Sequence, residues 1–183
     1  WLEDPSNENT DFERVRIRKS FDDLAACGIT AKGLCDTAQR MARARIALEA
    51  AASELLAGCC IIDPGGYARI DAKALFFGPE EITLRALSRI VVCIGGADYP
   101  SRQIKLERLH EKMKASHQDE TSNWKGGTLG RCRVLPLANG QGAGSFLICR
   151  ETRSLPAPIM ARPATEYDWD KRFCLRLRSN KGV

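Results

Sequence analysis

The apolar period of this chain changes partway along it, and that change constrains the fold class more than any other feature. Leu34, Ala38, Met41, Leu48, Ala52 and Leu55 recur at spacings of three, four and seven, which places side chains on one helical face. The same interval returns through Leu84, Leu87, Ile90, Val91 and Ile94, and again through Ile104, Leu106, Leu109 and Met113. Beyond Ser116 it gives way to short alternating runs. Residues 131–137 and 145–150 read as paired strands and residues 169–178 as a last strand. The expected fold is therefore mainly α, a helical region followed by a small β-rich portion, α+β overall.

Local signals refine this outline. Thr30 reads as the cap of a long helix that Gly58 ends. Residues 61–70 read as two short strands around the turn Pro64-Gly65-Gly66, and Asp71 as the cap of a short helix over 72–76. Pro79-Glu80-Glu81 starts a largely buried helix that Gly95-Gly96 stops, and Ser101 is expected to cap one more. On the outer side of that last helix lie Arg102, Lys105, Arg108 and Lys112, interrupted by Glu107 and Glu111.

The first eighteen residues have a different character. Asp4-Pro5-Ser6-Asn7 is dense in turn formers, and Ser6, Asn7, Thr10 and Asp11 are all candidates to cap a helix. Arg14, Arg16, Arg18 and Lys19 then place four cations in six residues, with Arg14 and Arg18 on one helical face.

Eight cysteines, none in a Cys-x-x-Cys pair, lie mostly within apolar or helical patterns, so buried free thiols in a reducing compartment are expected. With only His110 and His117 as imidazoles, both read as solvated, no metal site is expected. No apolar run approaches the roughly 18 residues that span a membrane, and the acidic opening does not read as a signal peptide. The net charge of +5 permits an anionic partner, with the basic residues following an acidic stretch over 1–13.

No catalytic constellation emerges from spacing. There is no Gly-x-x-x-x-Gly-Lys-[Ser/Thr] loop, and Gly126-Gly127-Thr128 lacks the strand–loop–helix setting that makes glycines a phosphate cradle. The residues suited to bind rather than react are cations. Arg102 and Lys105 on a helix, and Arg131, Arg133, Arg150 and Arg153 on adjacent strands, are the candidates to hold phosphates, the alternative for the helix stripe being an ordinary solvated face. Trp124, Trp169 and Phe173 are able to stack on bases, or to pack a small core.

The order of residues adds a resemblance. Glu3-Asp4-Pro5-Ser6-Asn7-Glu8-Asn9-Thr10-Asp11-Phe12-Glu13-Arg14, with Arg18 four residues on, closely resembles a motif of the tRNA(Ile)-lysidine synthase family. Later elements resemble the same family in the same order. They are the helix and turn from Arg85 to Arg102, Thr128-Leu129-Gly130-Arg131-Cys132, Ile148-Cys149-Arg150-Glu151-Thr152-Arg153 and Trp169-Asp170-Lys171-Arg172-Phe173. Three positions depart from it: Arg131 and Lys171, where the family commonly has glycine, and Val15, where many members have asparagine after the first motif arginine.

The resemblance implies a cytoplasmic ATP-dependent ligase that joins lysine to the wobble cytidine of tRNA(Ile), releasing AMP and pyrophosphate. ATP with Mg2+, lysine and tRNA(Ile) would serve the intact enzyme, with no membrane and with homodimerisation left open. It implies a C-terminal fragment without the ATP loop, inactive alone and without a bound cofactor, whose own part is to position tRNA. Residues 1–28 would be the tail of the catalytic domain and a connecting helix. Residues 29–116 would be a helical tRNA-recognition domain, and 117–183 the start of a C-terminal module. Asp4, Ser6, Asn7, Arg14 and Arg18 would lie near the active site. The competing reading is a helical protein–protein interaction or regulatory domain with incidental surface charge.

Overall fold

The structure, a computed structural model, describes residues 9–119, 121–137, 144–163 and 165–177. Two compact units divide the chain between Ala47 and Leu48.

The first unit is helical. Helix α1 (Glu13–Lys19) and helix α2 (Phe21–Ala26) precede α3 (Ala31–Cys59), which continues into the second unit. The cap of α1 is Phe12, without a side-chain bond, so Thr10 and Asp11 do not cap it; Ser6 and Asn7 lie outside the described residues. The Thr30 hydroxyl does hold the start of α3, accepting the Gly33 N–H at 3.0 Å. The stripe expected along α3 is core only in part. Leu34 and Met41 are exposed, at 49% and 62%, whereas Ala52 is fully buried and Leu48 and Leu55 pack on the core.

The second unit is a helix-backed antiparallel sheet. Strands β1 (Cys60–Asp63) and β2 (Tyr67–Asp71) form the expected hairpin, and α4 (Ala72–Phe77) follows at once. Asp71 caps α4 as its position suggests, its carboxylate accepting the Ala74 N–H at 2.7 Å. Helices α5 (Glu80–Gly95) and α6 (Gln103–Gln118) come next. The cap of α6 is Arg102, without a side-chain bond, rather than Ser101. Strands β3 (Gly127–Leu129), β4 (Cys132–Leu137) and β5 (Ser145–Arg150) complete a five-stranded sheet in the order β1-β2-β5-β4-β3. The glycine-rich connection between β4 and β5 over 138–143 lies outside the described residues.

Period-two alternation gives the sheet one dry face. Ala68, Ile70, Leu129, Cys132, Val134, Phe146 and Ile148 are buried in one core with Leu75, Leu87, Ile90, Val91, Ile94, Leu106, Leu109 and Met113 of the helices. Arg85 and Arg89 of α5 tie down the second half of α3. Arg85 bonds Glu49 at 2.6 Å and Glu81 at 2.7 Å, and Arg89 pairs with Glu49 at 3.3 Å and donates to the Ser53 hydroxyl, so both arginines have a structural task. His110, expected on the surface, is 3% exposed on α6, edge-on to Phe76. The thiols are also mixed: Cys59 and Cys132 are buried, while Cys27, Cys35, Cys93 and Cys174 are exposed.

Residues 169–178 are not one strand. Strands β6 (Glu166–Trp169) and β7 (Phe173–Arg176) make a separate hairpin turning at Asp170-Lys171-Arg172. Asp170 and Lys171 adopt left-handed φ values of 55° and 54°. Arg172 anchors the turn by donating to the carbonyls of Gly66 (3.1 Å) and Ile94 (3.0 Å). Gly66, at φ 80°, has no room for a side chain, because a Cβ there would run into the Phe173 ring.

Candidate nucleic-acid interface

The start of α6, the β3–β4 turn and the segment after β5 converge on a cleft of about 490 Å³ lined by Ser101, Arg102, Lys105, Arg131, Glu151 and Arg153, among others. Each cation reaches it for a local reason. Arg102 and Lys105 occupy the first turn of α6, whose uncapped N–H groups add positive partial charge. Arg131 sits with Gly130 in a two-residue hairpin loop between the paired Leu129 and Cys132. Both have left-handed φ, 65° and 56°, as a turn matched to sheet twist requires. The loop is held close: a Cβ on Gly95 would run into the Gly130 carbonyl oxygen.

Charge in the cleft is unbalanced. Glu151 is the single carboxylate of its lining among the described residues, and it pairs with Arg153 at 2.7 Å. Arg102, Lys105 and Arg131 are exposed and have no ion pair among the described residues. Three solvated, uncommitted cations beside a helix N-terminus are suited to phosphates.

Two candidates do not join them. Arg133 lies on the opposite face of the sheet, since its neighbours Cys132 and Val134 point into the core. Arg150 is used inside: its side chain, 8% exposed, pairs with Asp170 at 2.7 Å, and Asp170 also pairs with Arg172 at 2.6 Å. Sequence reasoning missed Asp170. The signal was its place in Trp169-Asp170-Lys171-Arg172-Phe173, whose acid and arginine compensate each other inside the fold.

Arg14 and Arg18 share α1 and are exposed. Arg14 lies over the Phe12 ring at 5.5 Å, and Glu13 makes no ion pair with either arginine among the described residues. Asp4, Ser6 and Asn7 lie outside the described residues.

The remaining chemistry is quiet. Burial pushes the Cys132 thiol up to about 12, and its sulfur donates to the Val91 carbonyl at 3.3 Å, so it is no nucleophile. Gly127 and Thr128 belong to strand β3, and a Cβ on Gly126 would run into the Val134 carbonyl. Gly126 packs against backbone and Gly127 against the Leu109 and Trp124 side chains, so these glycines do not fit a triphosphate. Among the described residues no group of three His, Cys, Asp or Glu gathers for a metal ion, and no helix is long and apolar enough to cross a membrane.

Fold and cleft together define an α+β module with one face of its sheet under helices and a cationic cleft at the start of α6. Nearly the whole chain has named relatives. It is 33% identical to the tRNA(Ile)-lysidine synthase of Ruegeria pomeroyi over 96% of this chain and 38% of the relative. It is 28% identical to that of Anaplasma marginale over 97% and 36%, and 26% identical to that of Wolbachia pipientis over 100% and 40%. The chain is thus a homologue of the tRNA(Ile)-lysidine synthases and spans about two fifths of the length of these relatives. No family model and no solved structure matches it.

Proposed function

We propose that the chain is part of a tRNA(Ile)-lysidine synthase, a carbon–nitrogen ligase that attaches lysine to the wobble cytidine of tRNA(Ile) at the expense of ATP. Its own task is to position the tRNA. The observation that carries this is the cluster of Arg102, Lys105 and Arg131, uncommitted cations at one cleft of a chain homologous to these enzymes. Phosphate contacts fix register and orientation without reading sequence, which is what a distant handle on a folded RNA requires.

In this reading residues 1–28 end the catalytic domain and lead out of it, residues 29–116 carry tRNA recognition, and residues 117–183 begin a C-terminal module. The pairing of β2 with β5 ties the later two spans together. ATP, its Mg2+ and lysine are held by parts of the intact enzyme other than the glycines described above, and the setting is the cytoplasm. The chain alone is expected to give no lysine transfer, and radiolabelled lysine incorporation into tRNA above background would contradict that assignment.

A second reading has one observation in its favour. Ile29, Leu34, Met41 and Ile46 are exposed apolar residues in the first unit, a surface suited to a protein partner. Binding of tRNA whose affinity falls with salt and with loss of the cleft cations separates the two, since a protein-docking module gives neither.

A further inference from the structure

A second cleft, of about 880 Å³, opens at the far end of α6 and has a different chemistry. Its inner wall is aromatic. His117 stacks on Phe76 (5.8 Å, 28°), Phe76 meets Phe146 edge-on (6.2 Å, 86°), and Phe146 meets Trp124 edge-on (6.1 Å, 69°). His117, Trp124 and Phe146 line the opening, and the indole is only half-buried.

The polar groups around that wall are uncommitted. The Trp124 indole N–H, the His117 ring nitrogens, the Asn123 amide and the Lys125 ammonium make no hydrogen bond or ion pair to other described residues. Asp119 spends one oxygen on Thr121, whose N–H and hydroxyl donate to it at 2.9 and 2.6 Å, and its second oxygen has no such partner. Those bonds hold its carboxyl below the usual range, so the free oxygen remains an acceptor at neutral pH.

An anion site would not place a fixed carboxylate and an apolar wall beside a single lysine. A nucleobase uses all three: a π-face for the indole, amino and ring N–H groups for Asp119, and mixed donors and acceptors for Asn123. Lys125 then meets the phosphate attached to it. The volume lies within the usual range for small-ligand sites, roughly 300–1,000 Å³.

We propose that this cleft receives one unpaired base of the bound RNA, stacked against Trp124 with its polar edge toward Asp119 and Asn123. The proposal rests on the RNA-positioning reading and adds a single-strand contact to the phosphate contacts of the other cleft.

The test is 19F NMR of the full chain labelled with 5-fluorotryptophan, titrated with the trinucleotides UUU, CCC and AAA and, separately, with tRNA. The Trp124 resonance is assigned by its loss in Trp124→Phe. A saturable shift of that resonance with a trinucleotide, while the Trp169 resonance stays still, is the expected result. Asn123→Ala and Lys125→Ala should each weaken the trinucleotide about three- to tenfold, and Arg102→Ala should leave it unchanged. Salt-dependent tRNA binding with a motionless Trp124 signal would overturn the base site and leave the RNA-positioning reading in place. Trinucleotide binding at Trp124 with no binding of tRNA would keep the site and overturn the reading beneath it.

Discussion

Arg131 shows at the scale of one residue how a cation can be placed against local preference. A left-handed arginine costs roughly 1–2 kcal/mol relative to an allowed region, and a glycine would avoid most of that. Arg131→Gly is therefore expected to leave the melting temperature unchanged or slightly raised while weakening tRNA binding, with both read on the same preparation. A fall in melting temperature would show that the side chain is structural. Arg131 and Lys171 were legible as departures from family glycines, and with Asp170 they are the left-handed non-glycine residues among those described. A sequence carries no marker for φ when glycine is absent, so the turns beneath them were partly hidden. His110 was hidden for another reason: a helix surface position was inferred from polarity, but Phe76 and the core cover it. Burial pushes its pKa below the ordinary 6.5. The unfolded chain then binds the proton more readily, so stability is complete above about pH 6.5 and declines as pH falls below it. Thermal melts from pH 7.5 to 5 should show this slope, and His110→Asn should flatten it.

The β6–β7 hairpin departs furthest from what its sequence suggests. Alternation at Phe173, Leu175 and Leu177 was visible, yet the Asp170-Lys171 turn carries no glycine to announce it. The hairpin joins the rest of the second unit through Asp170, which is 4% exposed and compensates two arginines at once. Arg150 is otherwise poorly served, since its Nε and Nη1 are buried without partners among the described residues. Asp170→Ala should thus cost roughly 3–5 kcal/mol, measured by chemical denaturation. A loss below about 1 kcal/mol would mean that the arginines escape to solvent. By contrast α4, α5 and the β1–β2 hairpin were readable directly, because Asp71, Gly96 and Pro64-Gly65-Gly66 act locally. The pairing of β2 with β5 was not, since registers such as Ala68 with Ile148 depend on chain segments about eighty residues apart.

Across the whole molecule the switch in apolar period gave the fold class, and the ordered motifs gave the homology. Neither could show that Arg102, Lys105, Arg131 and Arg153 share a cleft while Arg133 and Arg150 do not, because that separation follows from sheet face and burial. If the chain is part of a lysidine synthase as proposed, Arg14→Ala and Arg18→Ala in the intact enzyme are expected to reduce lysidine formation about ten- to a hundredfold, the loss of one charged hydrogen bond, with unchanged melting. Arg40→Ala and Arg43→Ala, at exposed positions of α3 outside the motif, should do much less. Normal turnover in the first pair would dispose of their assigned role. The most direct measurement is tRNA affinity against salt concentration for the wild-type chain and for Arg102→Ala/Lys105→Ala/Arg131→Ala. If these cations hold phosphates, the wild type binds with a steep negative slope of log affinity on log salt. The triple variant then binds more weakly, with the slope shallower by about one unit for each phosphate that is no longer neutralised. Equal affinity and equal slope in the two proteins would contradict the assignment of this cleft to tRNA.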